Sequence, residues 1–150
     1  QWLMGGPPLT VSAKGSSLVD AGIGKAGDVD TAVVTLTYAS GAIAVIRNSR
    51  RAAYGYDQRI ELLGSDGLLQ VENVLEHSVR KSSAAGVTGA KPTYFFLERY
   101  MPAYAAIWSA FVEAIDGGGP VPTTLADGVA ALAVAEAATE SVRSGRTVEL

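Results

Sequence analysis

Between Asp30 and Arg47 the chain carries no charged residue, and no other feature limits its folding so tightly. The stretch divides at Ala39-Ser40-Gly41 into residues 31–38 (TAVVTLTY) and 42–48 (AIAVIRN), both rich in β-branched side chains. That is the pattern of an antiparallel hairpin. In a half-exposed strand the outward positions are usually charged or strongly polar. Here one alternate set is Ala32, Val34, Leu36 and Tyr38, and the other is Thr31, Val33, Thr35 and Thr37. Two readings follow. Either both faces are covered, one by helices and the other by a second subunit or domain, or a threonine-rich face meets water.

The remaining elements arrange themselves around this hairpin. Residues 9–14 read as a strand and 15–28 as a Gly/Ser-rich loop. Residues 59–63 and 68–73 form a second pair turning through Gly64-Ser65-Asp66-Gly67, followed by a poorer strand over 76–81 and a loop over 82–92. The period then changes. Met101, Tyr104, Trp108, Phe111 and Ile115 recur at three and four residues, with Ile107 and Val112 broadening the stripe. Pro102 is tolerable only in a first turn, which predicts a helix start near Tyr100, and Gly117-Gly118-Gly119-Pro120 stops the helix. Thr124 and Asp127 have capping-box spacing ahead of an alanine-rich helix from Leu125 to about Ser144, and residues 146–150 read as a last strand. At the amino end, Gln1-Trp2-Leu3-Met4 before Gly5-Gly6-Pro7-Pro8 has the form of a final helical turn with its cap. Strands first and helices late predict an α+β fold: an open, mostly antiparallel sheet with helices packed on one face, a two-layer sandwich.

Composition excludes several functions. A chain of 150 residues fits one domain with one core. Its net charge of −3 supplies no basic stripe for nucleic acid. It has no cysteine, hence no disulfide, thiolate chemistry or zinc finger, which suits a reducing cytoplasm. No apolar run approaches the roughly 18–20 residues of a membrane span. The single histidine, His77, reads as a surface residue, and without clustered ligands a metal site has little support. Gly22-Ile23-Gly24 and Gly117-Gly118-Gly119 lack the strand–turn–helix setting of a dinucleotide loop. Glu136 and Glu140 read as a solvated stripe, and Arg47, Arg50 and Arg51 as either a solvated cluster or a partner-facing one.

Tyr54-Gly55-Tyr56-Asp57 is the more informative patch. In extended chain the two phenols project to one side, where they can stack on a sugar-like ring and hydrogen-bond its hydroxyls. Core or edge packing is the competing reading.

A family resemblance rests on three stretches. Tyr56-Asp57-Gln58-Arg59-Ile60-Glu61-Leu62-Leu63-Gly64-Ser65-Asp66-Gly67 resembles the corresponding run of bacterial myo-inositol dehydrogenases, as does Phe96-Leu97-Glu98-Arg99-Tyr100 ahead of Tyr104. The tail, with Asp127-Gly128, Ala131-Leu132, Ala135, Ala137-Ala138, Ser141, Gly145-Arg146, Val148 and Leu150, resembles the end of the wider glucose–fructose oxidoreductase/inositol dehydrogenase/rhizopine catabolism (Gfo/Idh/MocA) family. The resemblance implies a carboxy-terminal domain of the dihydrodipicolinate-reductase-like kind, serving substrate binding and oligomerisation. It further implies an amino-terminal Rossmann domain outside this chain that holds NAD or NADP, and homo-dimers or tetramers formed through the open sheet face. The substrate would be myo-inositol or a similar cyclic polyol or sugar, oxidised at a ring hydroxyl. Family members use a lysine and an Asp-x-x-x-His pair ahead of an Arg-Trp-Leu segment. Gln1-Trp2-Leu3 stands at that segment, with Gln in place of the commoner Arg, so those catalytic groups would precede residue 1. What carries over is substrate contact through Tyr54, Tyr56 and Tyr100, with Asp57 and Arg59 as candidates for holding the loop. An isolated chain of this kind is expected to be inactive. The alternative from another class is a stand-alone, non-catalytic sugar-binding or dimerisation module.

Overall fold

The computed structural model describes residues 1–150. In chain order its elements are β1 (Thr10–Ser16), α1 (Ala21–Lys25), β2 (Thr31–Thr37), β3 (Ile43–Ser49), β4 (Ile60–Gly64), β5 (Gly67–Val71), β6 (Arg80–Ser83), β7 (Gly86–Gly89), α2 (Phe96–Gly117), α3 (Leu125–Ser144) and β8 (Val148–Glu149). They fall into two compact units: Gln1–Arg51 with Pro122–Leu150, and Ala52–Val121.

The first unit is built on the uncharged hairpin. β2 and β3 pair antiparallel from Thr37↔Ile43 to Thr31↔Ser49, and Gly41 supplies the positive φ of +85° that their turn requires. β1 joins the other side of β2 and β8 closes the sheet, giving the order β3-β2-β1-β8. The alternation divides as the sequence implied. Val34, Leu36 and Tyr38 are buried together with Val11, Ala13 and Ala137, forming the hydrophobic core. Thr31, Val33, Thr35 and Thr37 take the opposite face. α3 packs on the core face through Val134, Ala137, Ala138 and Val142, a stripe at helical spacing whose small side chains admit close approach of helix to sheet. Glu136 and Glu140 are exposed, in keeping with a solvated stripe.

Ser141, 1% exposed, resolves a backbone problem. β8 pairs only with Thr10 and Val11, so the edge of β1 beyond Val11 lacks a strand partner. The Ser141 hydroxyl accepts from the Ala13 N–H at 2.8 Å and donates to the Arg146 carbonyl at 2.6 Å. One side chain thereby satisfies a strand donor and a carbonyl past the helix end.

The loop before β2 is more ordered than its composition suggests. It contains the short helix α1, capped by the Asp20 carboxylate, which accepts from the Gly22 N–H at 2.7 Å. Asp30 anchors it from the far end, accepting from the backbone N–H groups of Leu18 (2.9 Å), Val19 (2.8 Å) and Asp20 (2.9 Å) and from the Thr31 hydroxyl (2.9 Å).

The second unit holds two hairpins and α2. β4 and β5 turn through Gly64↔Gly67 as expected. β6 and β7 form a further hairpin where the sequence suggested a weak strand and a loop. The residues predicted as a strand over 76–81 contribute only the start of β6, preceded by an isolated bridge between Leu75 and Pro92. α2 also departs from expectation: it begins at Phe96 and carries Pro102 in its interior. The Glu98 carboxylate accepts from the Tyr94 and Phe95 N–H groups at 3.0 and 3.2 Å, which lets the helix start before the proline. Pro102 then forfeits one bond in the second turn of a 22-residue helix without terminating it. Gly118, at φ +63°, caps the far end.

Candidate functional site

The candidate site lies in the second unit, where a turn at Gly55 separates Tyr54 from Tyr56. Gly55 adopts φ +132°, and a Cβ there would lie 2.6 Å from the Pro92 carbonyl oxygen. Only glycine fits. The Tyr56 N–H donates to the Thr93 carbonyl at 2.7 Å, fastening this turn to the segment before α2. The backbone here is a turn, so Tyr54 and Tyr56 are not disposed as in an extended strand.

Their partners differ accordingly. The Tyr54 hydroxyl donates to the Asp57 carboxylate. That carboxylate also receives Arg59 Nε at 2.7 Å, Arg59 Nη2 at 2.9 Å and Asn73 Nδ2 at 2.9 Å. Asn73 turns its other side-chain atom to the Gln58 N–H at 2.7 Å. The Arg59 guanidinium and the Tyr54 hydroxyl hold the Asp57 carboxyl well below the usual carboxylate range, against the upward push of burial. Asp57 in turn raises the pKa of Arg59. Asp57 and Arg59 therefore do hold the loop, as the sequence suggested. Asn73 completes the network and was missed, because a lone asparagine at a strand end reads simply as a turn residue. Beside this network an open hollow of about 390 Å³ is lined by Tyr54, Arg59, Glu72, Asn73, Leu75 and Pro92.

Tyr56 instead meets Tyr100 in the first turns of α2. Their rings are T-shaped at 5.4 Å, and the Tyr56 hydroxyl donates to the Tyr100 hydroxyl at 3.4 Å. That is long for a hydroxyl pair, so both oxygens retain capacity for a further polar partner. The bond to Tyr100 and partial burial raise the Tyr56 pKa, keeping the phenol protonated and able to donate at neutral pH. Gln58 Oε1, Thr93 Oγ1 and Arg99 Nε, on residues close to these tyrosines in the chain, are buried without hydrogen-bond partners. The folded chain thus joins Tyr56 to Tyr100 and gives Tyr54 a place of its own.

The Gly22-Gly24 segment does not fit a dinucleotide. The N–H groups of Gly22 and Gly24 are taken by Asp20 and Ser17 oxygens, and an aspartate at the helix start repels a pyrophosphate. His77 accepts from the Val79 N–H through Nδ1, and no set of three or more ligating side chains is grouped anywhere in the chain.

One unit is an antiparallel sheet backed by an alanine-rich helix and the other bears the tyrosine turn; over its whole length the chain matches the carboxy-terminal domain of an oxidoreductase family. The chain belongs to the Gfo/Idh/MocA family, whose model for the "Oxidoreductase family, C-terminal alpha/beta domain" matches residues 1–150. It is similar to the myo-inositol 2-dehydrogenase of Thermotoga maritima, 47% identical over 150 residues, which make up 100% of this chain and 45% of that protein. The crystal structure of a probable dehydrogenase from Thermotoga maritima superposes with a TM-score of 0.95 at 47% identity, covering 99% of this chain and 44% of that one. The scyllo-inositol dehydrogenase of Lactobacillus casei, with bound cofactor NAD(H) and scyllo-inositol, superposes with a TM-score of 0.86 at 27% identity, again over 99% and 44%. The chain spans less than half the length of these relatives.

Proposed function

We propose that this chain is the substrate-side domain of an NAD(P)-dependent dehydrogenase that oxidises a ring hydroxyl of myo-inositol or a similar cyclic polyol to the ketone. The observation that carries this reading is the meeting of Tyr56 and Tyr100, 44 residues apart in sequence, with hydroxyls 3.4 Å apart and spare hydrogen-bonding capacity. Two phenols set at a T present apolar ring to the C–H face of a polyol and oxygen to its hydroxyls. The Asp57 network fixes the turn from which one of them projects, so little ordering cost falls on binding. The inositol dehydrogenases among its relatives support the same substrate class. Tyr54, bound to Asp57 and lining the adjoining hollow, serves as the outer wall of the substrate cleft.

Cofactor binding and proton transfer fall to residues outside this chain, which alone is inactive. The open sheet face joins subunits. The lack of cysteine suits a cytoplasmic enzyme of this kind. The test is production of NADH or NADPH by the full-length gene product when it is offered myo-inositol, scyllo-inositol and aldoses. Turnover with a cyclic polyol is expected; no turnover with any of them removes the reading.

A further inference from the structure

The Asp57 carboxylate has no acceptor capacity left for a substrate. Its Oδ1 accepts from Arg59 Nε at 2.7 Å and Asn73 Nδ2 at 2.9 Å, and its Oδ2 from Arg59 Nη2 at 2.9 Å and the Tyr54 hydroxyl. A carboxylate offers about four acceptor sites, so Asp57 is an anchor rather than a base. Tyr54 and Arg59 lie within three residues of it and stiffen the turn from inside. Asn73, 16 residues away, is the donor that ties the turn to another segment.

Asn73 grips two consecutive residues, donating to Asp57 and accepting from the Gln58 N–H at 2.7 Å. Only a short amide offers a donor and an acceptor side by side here: an ionised aspartate lacks the donor and leucine lacks both. The chain next to Asn73 completes a frame around Tyr56. The Val74 carbonyl accepts from the Thr93 N–H at 3.0 Å, and the Thr93 carbonyl accepts from the Tyr56 N–H at 2.7 Å. Thr93 leads into α2, whose start is held by Glu98 and which carries Tyr100. Residues 73 and 74 therefore bridge the two segments that bear the phenols. Thr93 holds Tyr56 on its amino side and Asn73 holds it on its carboxyl side.

We infer that Asn73 is a positioning residue for substrate recognition, holding the Tyr56 phenol in place against Tyr100 and acting through Tyr56 rather than on the polyol. The inference rests on the function proposed above and deepens it: a side chain outside the tyrosine pair sets the pair's geometry.

The test compares the full-length protein with Asn73→Asp and Asn73→Leu. NMR of ¹³Cζ-tyrosine reports on the phenols, with signals assigned from Tyr56→Phe and Tyr100→Phe. In Asn73→Asp the new carboxyl and Asp57 share one proton at low pH, and a protonated carboxyl donates to Asp57 and accepts from Gln58 as the amide does. Each carboxylate raises the other's pKa, so the pair's upper pKa lies above the ordinary value of about 4. The fit is present below that pKa and lost as pH rises through it. Tyr54, Arg59 and Glu72 are the ionisable groups around the pair; comparison with wild type at each pH removes their own effect. Both tyrosine signals of Asn73→Asp should be displaced at about pH 8 and return to their wild-type positions at about pH 5. Those of Asn73→Leu should be displaced at both. KM for the polyol, relative to wild type at the same pH, should rise about tenfold wherever the signals are displaced, with kcat changing less. A general loss of stability would not reverse with pH in the aspartate variant alone. Signals that stay in place, signals of Asn73→Asp displaced equally at both pH values, or displaced signals with an unchanged KM would each overturn the inference. A wild type that oxidises no polyol removes the proposed function instead, and the tyrosine signals then still decide whether Asn73 holds Tyr56.

Discussion

Asp30 is 3% exposed, and its carboxylate faces three backbone N–H groups and a hydroxyl. Burial alone would raise its pKa; the N–H donors of Asp20, Leu18 and Val19 and the Thr31 hydroxyl outweigh burial and hold it far below the usual carboxylate range. A carboxyl depressed in the folded state stabilises that state fully above its unfolded pKa, near 4, and loses the contribution as pH falls below it. Asp30→Asn should therefore lower the Tm at pH 7 by several degrees and flatten its fall between about pH 5 and pH 2. Thermal melts across that range check both; an unchanged pH profile would show that Asp30 does not drive the acid transition. Some acid sensitivity should persist, because Asp57 is depressed in the same direction. At the site, Tyr56→Phe in the full-length enzyme should reduce kcat/KM for inositol about tenfold, the upper end of the roughly 0.5–1.5 kcal/mol that a lost neutral hydrogen bond costs. An unaltered kcat/KM would take Tyr56 out of the site. Tyr54 and Tyr56 stood out by residue type, but the local spacing that set both phenols on one side does not hold in the turn, and Tyr100 was reached only through the family resemblance. Asp30 was not legible, because its role depends on amides 10–12 residues earlier curling back to meet it.

Elements were legible where one short-range pattern dominated and obscure where contacts distant in sequence decided. The uncharged hairpin and the Thr124–Asp127 capping box need only nearest neighbours, and both form as expected. α2 starts early because Glu98 reaches back to Tyr94 and Phe95. β6–β7 escaped notice because a serine- and glycine-rich hairpin carries almost no alternation to detect. Two substitutions test how elements are fastened. Ser141→Ala leaves the Ala13 N–H and the Arg146 carbonyl without their partner and should cost about 1–3 kcal/mol in urea unfolding. A loss below about 0.5 kcal/mol would mean that other groups take its place. Gly55→Ala forces a Cβ towards the Pro92 carbonyl at a φ of +132°, and should destabilise the turn by about 1–3 kcal/mol while raising KM for the polyol. Full retention of affinity would separate this turn from substrate binding.

At the scale of the whole molecule, the unanswered surface is the sheet face opposite α3. Its rows run Thr10–Thr37–Ile43 and Ser12–Thr35–Val45 across β1, β2 and β3, with Lys14 and Arg47 at either side of Val33 in the next row. Ile43 and Val45 are 66% and 63% exposed, and Thr10 and Thr37 bond to each other at 2.5 Å, which leaves less of their polarity for water. The sequence allowed both a covered and a solvated face here, since Thr and Val suit either setting and alternation cannot say what lies above a sheet. The proposed pairing of subunits through this face makes a specific demand on Val45. A lysine placed there is harmless on a solvated strand, but at a two-fold sheet interface it buries like charges against each other. Val45→Lys should leave the Tm of the dissociated chain nearly unchanged and weaken self-association by about a hundredfold, the equivalent of roughly 2.7 kcal/mol. Sedimentation equilibrium over a range of protein concentrations reads this directly. Equal association of wild type and variant, or a wild type that stays monomeric at high concentration, would return the threonine-rich face to solvent.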